Sequence, residues 1–396
     1  MNEPKLRFKA DDGSEFPEWE EKKIGDLFYK VNERNNGQFG KDKWISVAKM
    51  YYQDEDKVTS NNIDTRTYVM RIGDMAFEGH PNKEFKYGRF VVNDIGDGII
   101  SELFPIYRHK GEYVLKYWKY AIQIDAIMQK IYRKAITSSG ASSNKLDNND
   151  FENQSIPVPC LEEQQKIAEF LSTIDTVIEK QKETVSAWEE RKKGVMQKLF
   201  SQEVRFKADD GSEFPEWEEK KLSEVFAERT ERSKGGESLL SVTIAQGIVK
   251  QSETDKRNIA SENKSNYKIV KKNDLAYNTM RMWQGAEGVS EYDGIVSPAY
   301  TVITALDGNN SYFFETMFKQ TFMLQVFQRY SQGLTSDTWN LKFPAFSEIK
   351  CQIPCEDEQN KIVECVAVLD EVIEKQKATL VAWEELKKGL LQQMFA

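Results

Sequence analysis

Residues 162–200 read EEQQKIAEFLSTIDTVIEKQKETVSAWEERKKGVMQKLF, and residues 357–395 read DEQNKIVECVAVLDEVIEKQKATLVAWEELKKGLLQQMF, a constant 195 positions later. In the first copy a seam runs through Ile167, Leu171, Ile174, Ile178, Gln181, Val185, Trp188, Lys192, Val195 and Leu199. The second copy repeats it at Ile362, Val366, Leu369, Ile373, Gln376, Leu380, Trp383, Lys387, Leu390 and Met394. The steps alternate four and three, a period of about 3.5, which marks a left-handed coiled-coil seam rather than a lone amphipathic helix. Neither copy contains Pro, and the single Gly in each (Gly194, Gly389) lies near its end, so the spacing predicts two unbroken helices of roughly 58 Å. Were the two copies to pack antiparallel with full end-to-end overlap, the central Gln181 and Gln376 would stand at one level, Trp188 opposite Leu369 and Trp383 opposite Ile174. A polar seam pair of that kind fixes register at some cost in stability. The competing expectation is two ordinary amphipathic core helices.

Outward from these helices the repetition continues. Residues 7–23, RFKADDGSEFPEWEEKK, recur letter for letter at 205–221. A period near 200 residues is far too long for a solenoid and marks the duplication of a half-protein. Asp-Gly and Phe-Pro punctuate the segment as a turn and an extended docking strand, which reads as scaffold packing in preference to ligand contact. Between the repeats lie two blocks, 29–158 and 227–350. Short β-rich runs occur at 44–47, 68–72 and 88–93 in the first and at 239–244 and 299–304 in the second, followed by aromatic-rich helical stretches at 113–132 and 311–330. Gly73-Asp-Met-Ala-Phe77 echoes Asn273-Asp-Leu-Ala-Tyr277, and Asp97-Gly-Ile-Ile-Ser101 echoes Asp293-Gly-Ile-Val-Ser297. The pattern predicts two α+β domains of one fold with divergent surfaces, in a ring cut once, with neighbouring termini.

The chain has 396 residues and a net charge of −9, with four cysteines and two histidines. The acidity lies in the repeated parts, and both intervening blocks are slightly positive. The global charge therefore leaves room for a basic face on each block, with weak DNA binding by the chain alone. With no long apolar run the chain reads as cytoplasmic with no membrane association. The cysteines form no CxxC pair, so no metal is expected. Ser297-Pro-Ala-Tyr300 imitates an amino-methyltransferase loop but lacks its second proline. Asp74 with Glu84-Phe-Lys86 imitates a nuclease set, a triplet that arises often by chance. No phosphate-binding loop or nucleophile triad is present. No active site is read here.

The variable blocks do carry polar loops with groups suited to DNA. Arg281 offers a fork for guanine and Gln284 an amide for adenine, beside Trp283. Ser336, Thr338, Asn340 and Lys342 follow in the same block. In the first block His80, Asn82, Lys83, Lys86 and Arg89 occupy one loop, and Ser139, Ser143, Asn144 and Lys145 another. Phosphates take Lys, Arg, Ser and backbone N–H groups, whereas base edges take planar bidentate side chains. Each residue taken singly reads equally as a solvated turn, and Trp283 and Trp339 as packing.

Taken whole, the chain resembles the specificity subunit of a type I restriction–modification system. The resemblance rests on [LI]DxVIEKQKxTxxAWEExKKG at 174–194 and 369–389, RFK…EFPEWEEKK at both leading edges, and Trp283-Gln-Gly with Asp293-Gly-Ile-Val-Ser-Pro298. It implies an α+β fold with two pseudo-symmetric target-recognition domains, joined by two long antiparallel coiled-coil helices in a cyclic arrangement. The implied boundaries are a first recognition domain at 1–158, a spacer helix at 159–204, a second domain at 205–353 and a second helix at 354–396. It further implies a non-catalytic subunit of a hetero-oligomer, each domain reading half of a bipartite, asymmetric double-stranded DNA target. Two methyltransferase subunits using S-adenosylmethionine are the implied partners, with translocase/endonuclease subunits using ATP and Mg; the chain itself binds no cofactor. The alternative is a coiled-coil scaffold presenting two protein- or carbohydrate-binding domains.

Overall fold

The computed structural model describes residues 4–81, 85–138, 143–244, 246–253 and 263–395. Two helices carry the repeated seam, α1 (Leu161–Phe200) and α2 (Glu356–Phe395), each 40 residues long. All twenty predicted seam positions are buried or half-buried, while most positions between them are exposed. The chain divides into two compact units, 1–183 with 377–396 and 184–376. Each unit therefore contains about half of each long helix.

Within each unit the two helix halves run antiparallel. In the first, Lys387 Nζ meets Asp175 Oδ1 at 2.5 Å and Lys182 Nζ meets Glu384 Oε1 at 3.5 Å. In the second, Lys192 Nζ meets Asp370 Oδ1 at 2.5 Å. Lys387–Asp175 and Lys192–Asp370 are the same interaction made once per unit, 195 positions apart. They correct the register expected from full overlap by about one turn. Lys387 reaches the carboxylate next to Ile174, and Lys192 the carboxylate next to Leu369, where full overlap would place Trp383 and Trp188. The physical reason is the seam lysine, which covers apolar neighbours with its stem while its amine reaches the carboxylate beside the seam.

The seventeen-letter segment docks on the start of each helix through one buried carboxylate. Glu163 is fully buried and accepts from Arg7 Nε at 3.0 Å, Arg7 Nη2 at 2.8 Å and Trp19 Nε1 at 3.0 Å. Glu358 accepts from Arg205 at 3.1 and 2.8 Å and from Trp217 at 3.1 Å. The segment then enters a two-stranded ladder, Glu20–Lys23 with Ser155–Val158 and Glu218–Lys221 with Lys350–Ile353. The repeated segment thus packs on the helical scaffold. Leu6 N–H donates to Gln393 C=O at 3.0 Å, and Val204 N–H to Lys198 C=O at 3.3 Å. The same bond joins the two chain ends in the first unit and is closed by continuous chain in the second.

Each unit has a four-stranded antiparallel sheet of one topology. The first contains β1 (Phe28–Val31), β2 (Met75–Glu78), β3 (Arg89–Val92) and β4 (Ile106–His109), in the order β1-β4-β2-β3. The second contains β5 (Phe226–Glu228), β6 (Leu275–Asn278), β7 (Glu287–Val289) and β8 (Tyr300–Ala305), in the order β5-β8-β6-β7. The expected helical stretches are each two helices, Leu115–Ala121 and Asp125–Ala135, then Ser311–Phe318 and Thr321–Tyr330. Aromatic side chains from the strands and from the helices packed on them fill a core against one face of the sheet. Phe77, Phe90, Tyr107, Trp118, Tyr132 and Phe151 do so in the first unit, and Phe226, Tyr277, Phe313, Phe314, Phe318 and Phe346 in the second. The helix ends Met394 and Phe395 join the first core, and Met196 and Leu199 the second. Burying a large apolar side chain contributes about 1.5–3 kcal/mol, so these anchors hold each sheet to its helix pair.

Candidate functional site

In both units two loops far apart in sequence meet where the second sheet strand in chain order ends. In the first unit the chain leaves β2 at Gly79 and His80, and Asn144 N–H donates to Gly79 C=O at 2.8 Å. Asn144 Nδ2 donates to Lys86 C=O at 3.3 Å. A Cβ on Gly79 would stand 2.1 Å from Asn144 O, so only glycine permits this approach. In the second unit the chain leaves β6 at Thr279, and Leu341 N–H donates to Thr279 C=O at 2.7 Å. Trp283 and Trp339 meet edge-on, ring centroids 5.3 Å apart, and Trp283 Nε1 donates to Met280 C=O at 3.1 Å. The loops paired by residue chemistry alone are thus neighbours in each unit.

The individual side chains divide by availability. His80, Lys86 and Lys145 are exposed in the first unit, with Ser143 and Asn144 half-buried. Arg89 is engaged within the fold. Its Nε donates to Glu78 at 3.0 Å, its Nη2 to Ala48 C=O, and its guanidinium lies 4.6 Å from the Phe85 ring. Asn82, Lys83 and Ser139 lie outside the described residues. In the second unit Arg281, Gln284, Ser336, Thr338 and Lys342 are exposed. Thr338 Oγ1 also donates to Thr335 C=O at 3.0 Å, and Asn340 Nδ2 to Gln332 C=O at 3.2 Å. Those two side chains brace their own loop. The Arg281 charge acts on the Tyr300 phenol, whose pKa burial raises and Arg281 lowers.

Asp74, the described acid of the nuclease-like letter pattern, is committed to contacts within the fold. Asp74 is buried, accepting from Arg108 at 2.7 and 2.8 Å and from the Arg71 N–H at 2.8 Å. Asp274 does the same with Arg229 at 2.6 and 3.0 Å and Lys271 N–H at 2.7 Å. The arginine comes from β4 in one unit and from just beyond β5 in the other, while the aspartate and its turn are retained. Asp74 is therefore a turn and ion-pair residue. Glu84, the nuclease-like partner, lies outside the described residues.

Residue chemistry missed the apolar tips. Leu103, in the turn before β4, is 81% exposed, and Leu334, in the 332–340 loop, is 100% exposed. Phe104 beside Leu103 lies 6.4 Å from the His80 ring. A leucine between Glu and Phe, or between Gly and Thr, carries no sequence signal of exposure. Among the described residues no helix is long and apolar enough to cross a membrane.

Comparison with known proteins supplies the context for this paired site. The family model for the type I restriction modification DNA specificity domain matches residues 17–186 and again 215–381. A putative type I restriction enzyme MjaX specificity subunit from Methanocaldococcus jannaschii is 27% identical over 237 residues, 53% of each chain. The MjaVIII specificity subunit of the same organism is 40% identical over 93 residues, 22% of each chain. The match thus spans about half the length of the first of these curated relatives. Among solved structures, the type I restriction–modification S subunit from M. genitalium superposes with TM-score 0.52 at 16% identity, covering 100% of this chain and 99% of that one. A chain from a study of complex assembly and conformational transition in the type I R-M system gives TM-score 0.56 at 17% identity, covering 96% and 98%. At these identities the likeness is one of fold.

Proposed function

Because the chain belongs to the type I restriction–modification DNA specificity family, we propose that it is the sequence-recognition subunit of such a complex, one unit reading each half of a bipartite DNA target. The observation that carries this reading is the duplicated site. The same two loops are brought together at the same place in both folds, yet the side chains they present differ. One frame with two different faces fits an asymmetric, split target better than it fits one repeated ligand. His80, Lys86, Asn144 and Lys145 serve the first half-site, with Asn82, Lys83, Ser139 and Ser143 from the same loops. Arg281, Gln284, Ser336 and Lys342 serve the second. Arg89, Trp283, Thr338 and Asn340 position those loops. Arg and Gln address guanine and adenine edges, and Lys and Ser the phosphates.

In this reading the recognition domains are 1–158 and 205–353, and the helices within 159–204 and 354–396 set the spacing of the half-sites. Two methyltransferase subunits dock on that frame and bring S-adenosylmethionine, and translocase/endonuclease subunits bring ATP and Mg. The chain contributes recognition and assembly and no catalytic group. Its own acidity keeps binding weak until a partner adds positive charge, so affinity falls steeply with salt.

The test is the affinity of the chain, with and without its methyltransferase partner, for a pool of random duplexes at several salt concentrations. Enrichment of one split, asymmetric motif by the assembled complex is expected. Enrichment of no motif, with retention of a protein or glycan ligand instead, would favour a scaffold presenting two binding domains.

A further inference from the structure

The 332–340 loop of the second unit is a closed lobe with an apolar tip. Gln332 and Asn340 exchange both backbone hydrogen bonds at 2.8 Å, closing its base. Thr338 N–H and Trp339 N–H donate to Thr335 C=O at 2.9 and 3.1 Å, and Thr335 N–H donates to Thr338 Oγ1 at 3.1 Å. Gly333 has φ +144°, and a Cβ there would stand 2.6 Å from Thr338 O. The chain therefore turns tightly at a glycine and presents the next side chain, Leu334, wholly to solvent. Single exposed leucines are common on protein surfaces. This one stands on a braced lobe, flanked by the exposed hydroxyls of Thr335 and Ser336. The lobe is tied through Leu341–Thr279 and Trp339–Trp283 to the loop that carries Arg281 and Gln284.

We propose that Leu334 is a specificity residue that contacts the C5-methyl group of a thymine in the half-site read by the second unit. The inference rests on the DNA-recognition reading above. Donors for base edges and one apolar tip on a shared support match the major groove, where the thymine methyl is the apolar feature of an otherwise polar code. An apolar wedge between base steps is the other use of such a side chain, belonging to minor-groove binders that bend DNA. The neighbouring Arg281 and Gln284 are suited to major-groove edges and favour the methyl contact.

The experiment uses the full chain with its methyltransferase partner and a duplex carrying the motif that the complex selects. Each thymine is replaced singly by uracil, which removes the methyl and keeps pairing and stacking. One replacement in the second half-site weakens binding about fourfold, the fold-change equivalent to about 0.8 kcal/mol for one methyl-sized group. L334A weakens binding to the thymine duplex by at least as much and no longer distinguishes thymine from uracil there. Its response to replacements in the first half-site equals that of the unaltered chain. Retention of the original uracil profile by L334A overturns the proposal, as does a second half-site without thymine. Equal weakening on both duplexes by L334A, with no uracil effect in the unaltered chain, identifies a wedge and also overturns it. Absence of any sequence-selective binding by the unaltered complex overturns the recognition reading itself, and the contact with it.

Discussion

At equal places in the two sheets, Phe77 lies across from Phe90 in the first unit and Tyr277 across from Glu287 in the second. Phe90 packs against Phe77, Tyr107 and Phe151. Glu287 is as deeply buried, but its carboxylate has no hydrogen-bond partner among the described residues, and Lys319 Nζ stands 3.9 Å away. By contrast, the carboxylates that dock the repeated segment, Glu163 and Glu358, are satisfied by the same three donors to within 0.1 Å. The frame of the duplicated fold has kept its chemistry, while the blocks it carries have diverged even in their cores. A frame that must fit one set of neighbours tolerates little change. A block whose surface defines a target can change as long as its sheet topology survives.

The largest expected effect lies at the docking carboxylates. Glu163→Ala and Glu358→Ala each leave an arginine and a tryptophan N–H without their buried acceptor. A loss of about 2–4 kcal/mol is expected, with the partly exposed arginines holding it below the fully buried case. Urea unfolding of the two variants should give equal losses; a neutral effect in either unit would remove that unit's triad from the frame.

A smaller, opposite effect is expected at Glu287. Burial raises its pKa well above the ordinary 4.5, so the folded chain holds a proton that the unfolded chain releases once pH passes that value. Its contribution is therefore most favourable below about pH 4.5 and is lost as pH rises toward the folded pKa. Glu287→Leu should raise stability near neutral pH by about 1–3 kcal/mol, the cost of an unsatisfied buried polar group. The gap in melting temperature should widen from about pH 5 to about pH 8. A gap that stays constant would mean that the carboxyl titrates normally. The smallest effect belongs to Lys192→Met and Lys387→Met, which remove part-exposed ion pairs worth about 0.2–1 kcal/mol. Thermal melts should show the two losses to be alike, as the repeat predicts.

Much of the frame was legible in the sequence because a 3.5-residue period and verbatim repetition are long-range signals that single substitutions do not erase. The register was not, since it depends on which carboxylate a seam lysine reaches, and Asp175 and Asp370 lie just off the seam. The loops of the candidate site were legible as pairs of polar stretches, and hydrogen bonds such as Asn144–Gly79 and Leu341–Thr279 bring them together. Their division of labour was not. Arg89 looks like a phosphate or guanine ligand until cross-strand pairing puts Glu78 beside it. Leu334 looks like core until the turn at Gly333 puts it outside.

In the function proposed above, each unit reads one half-site independently on a shared frame. The most direct test is a genome-wide map of N6-methyladenine from cells carrying this chain and its methyltransferase partner. The map is made before and after residues 29–158 are exchanged for the corresponding block of another family member. The expected result is a split, asymmetric motif in which the exchange rewrites one half and leaves the other half and the spacer unchanged. A motif that stays the same after the exchange, or that changes in both halves, would contradict it.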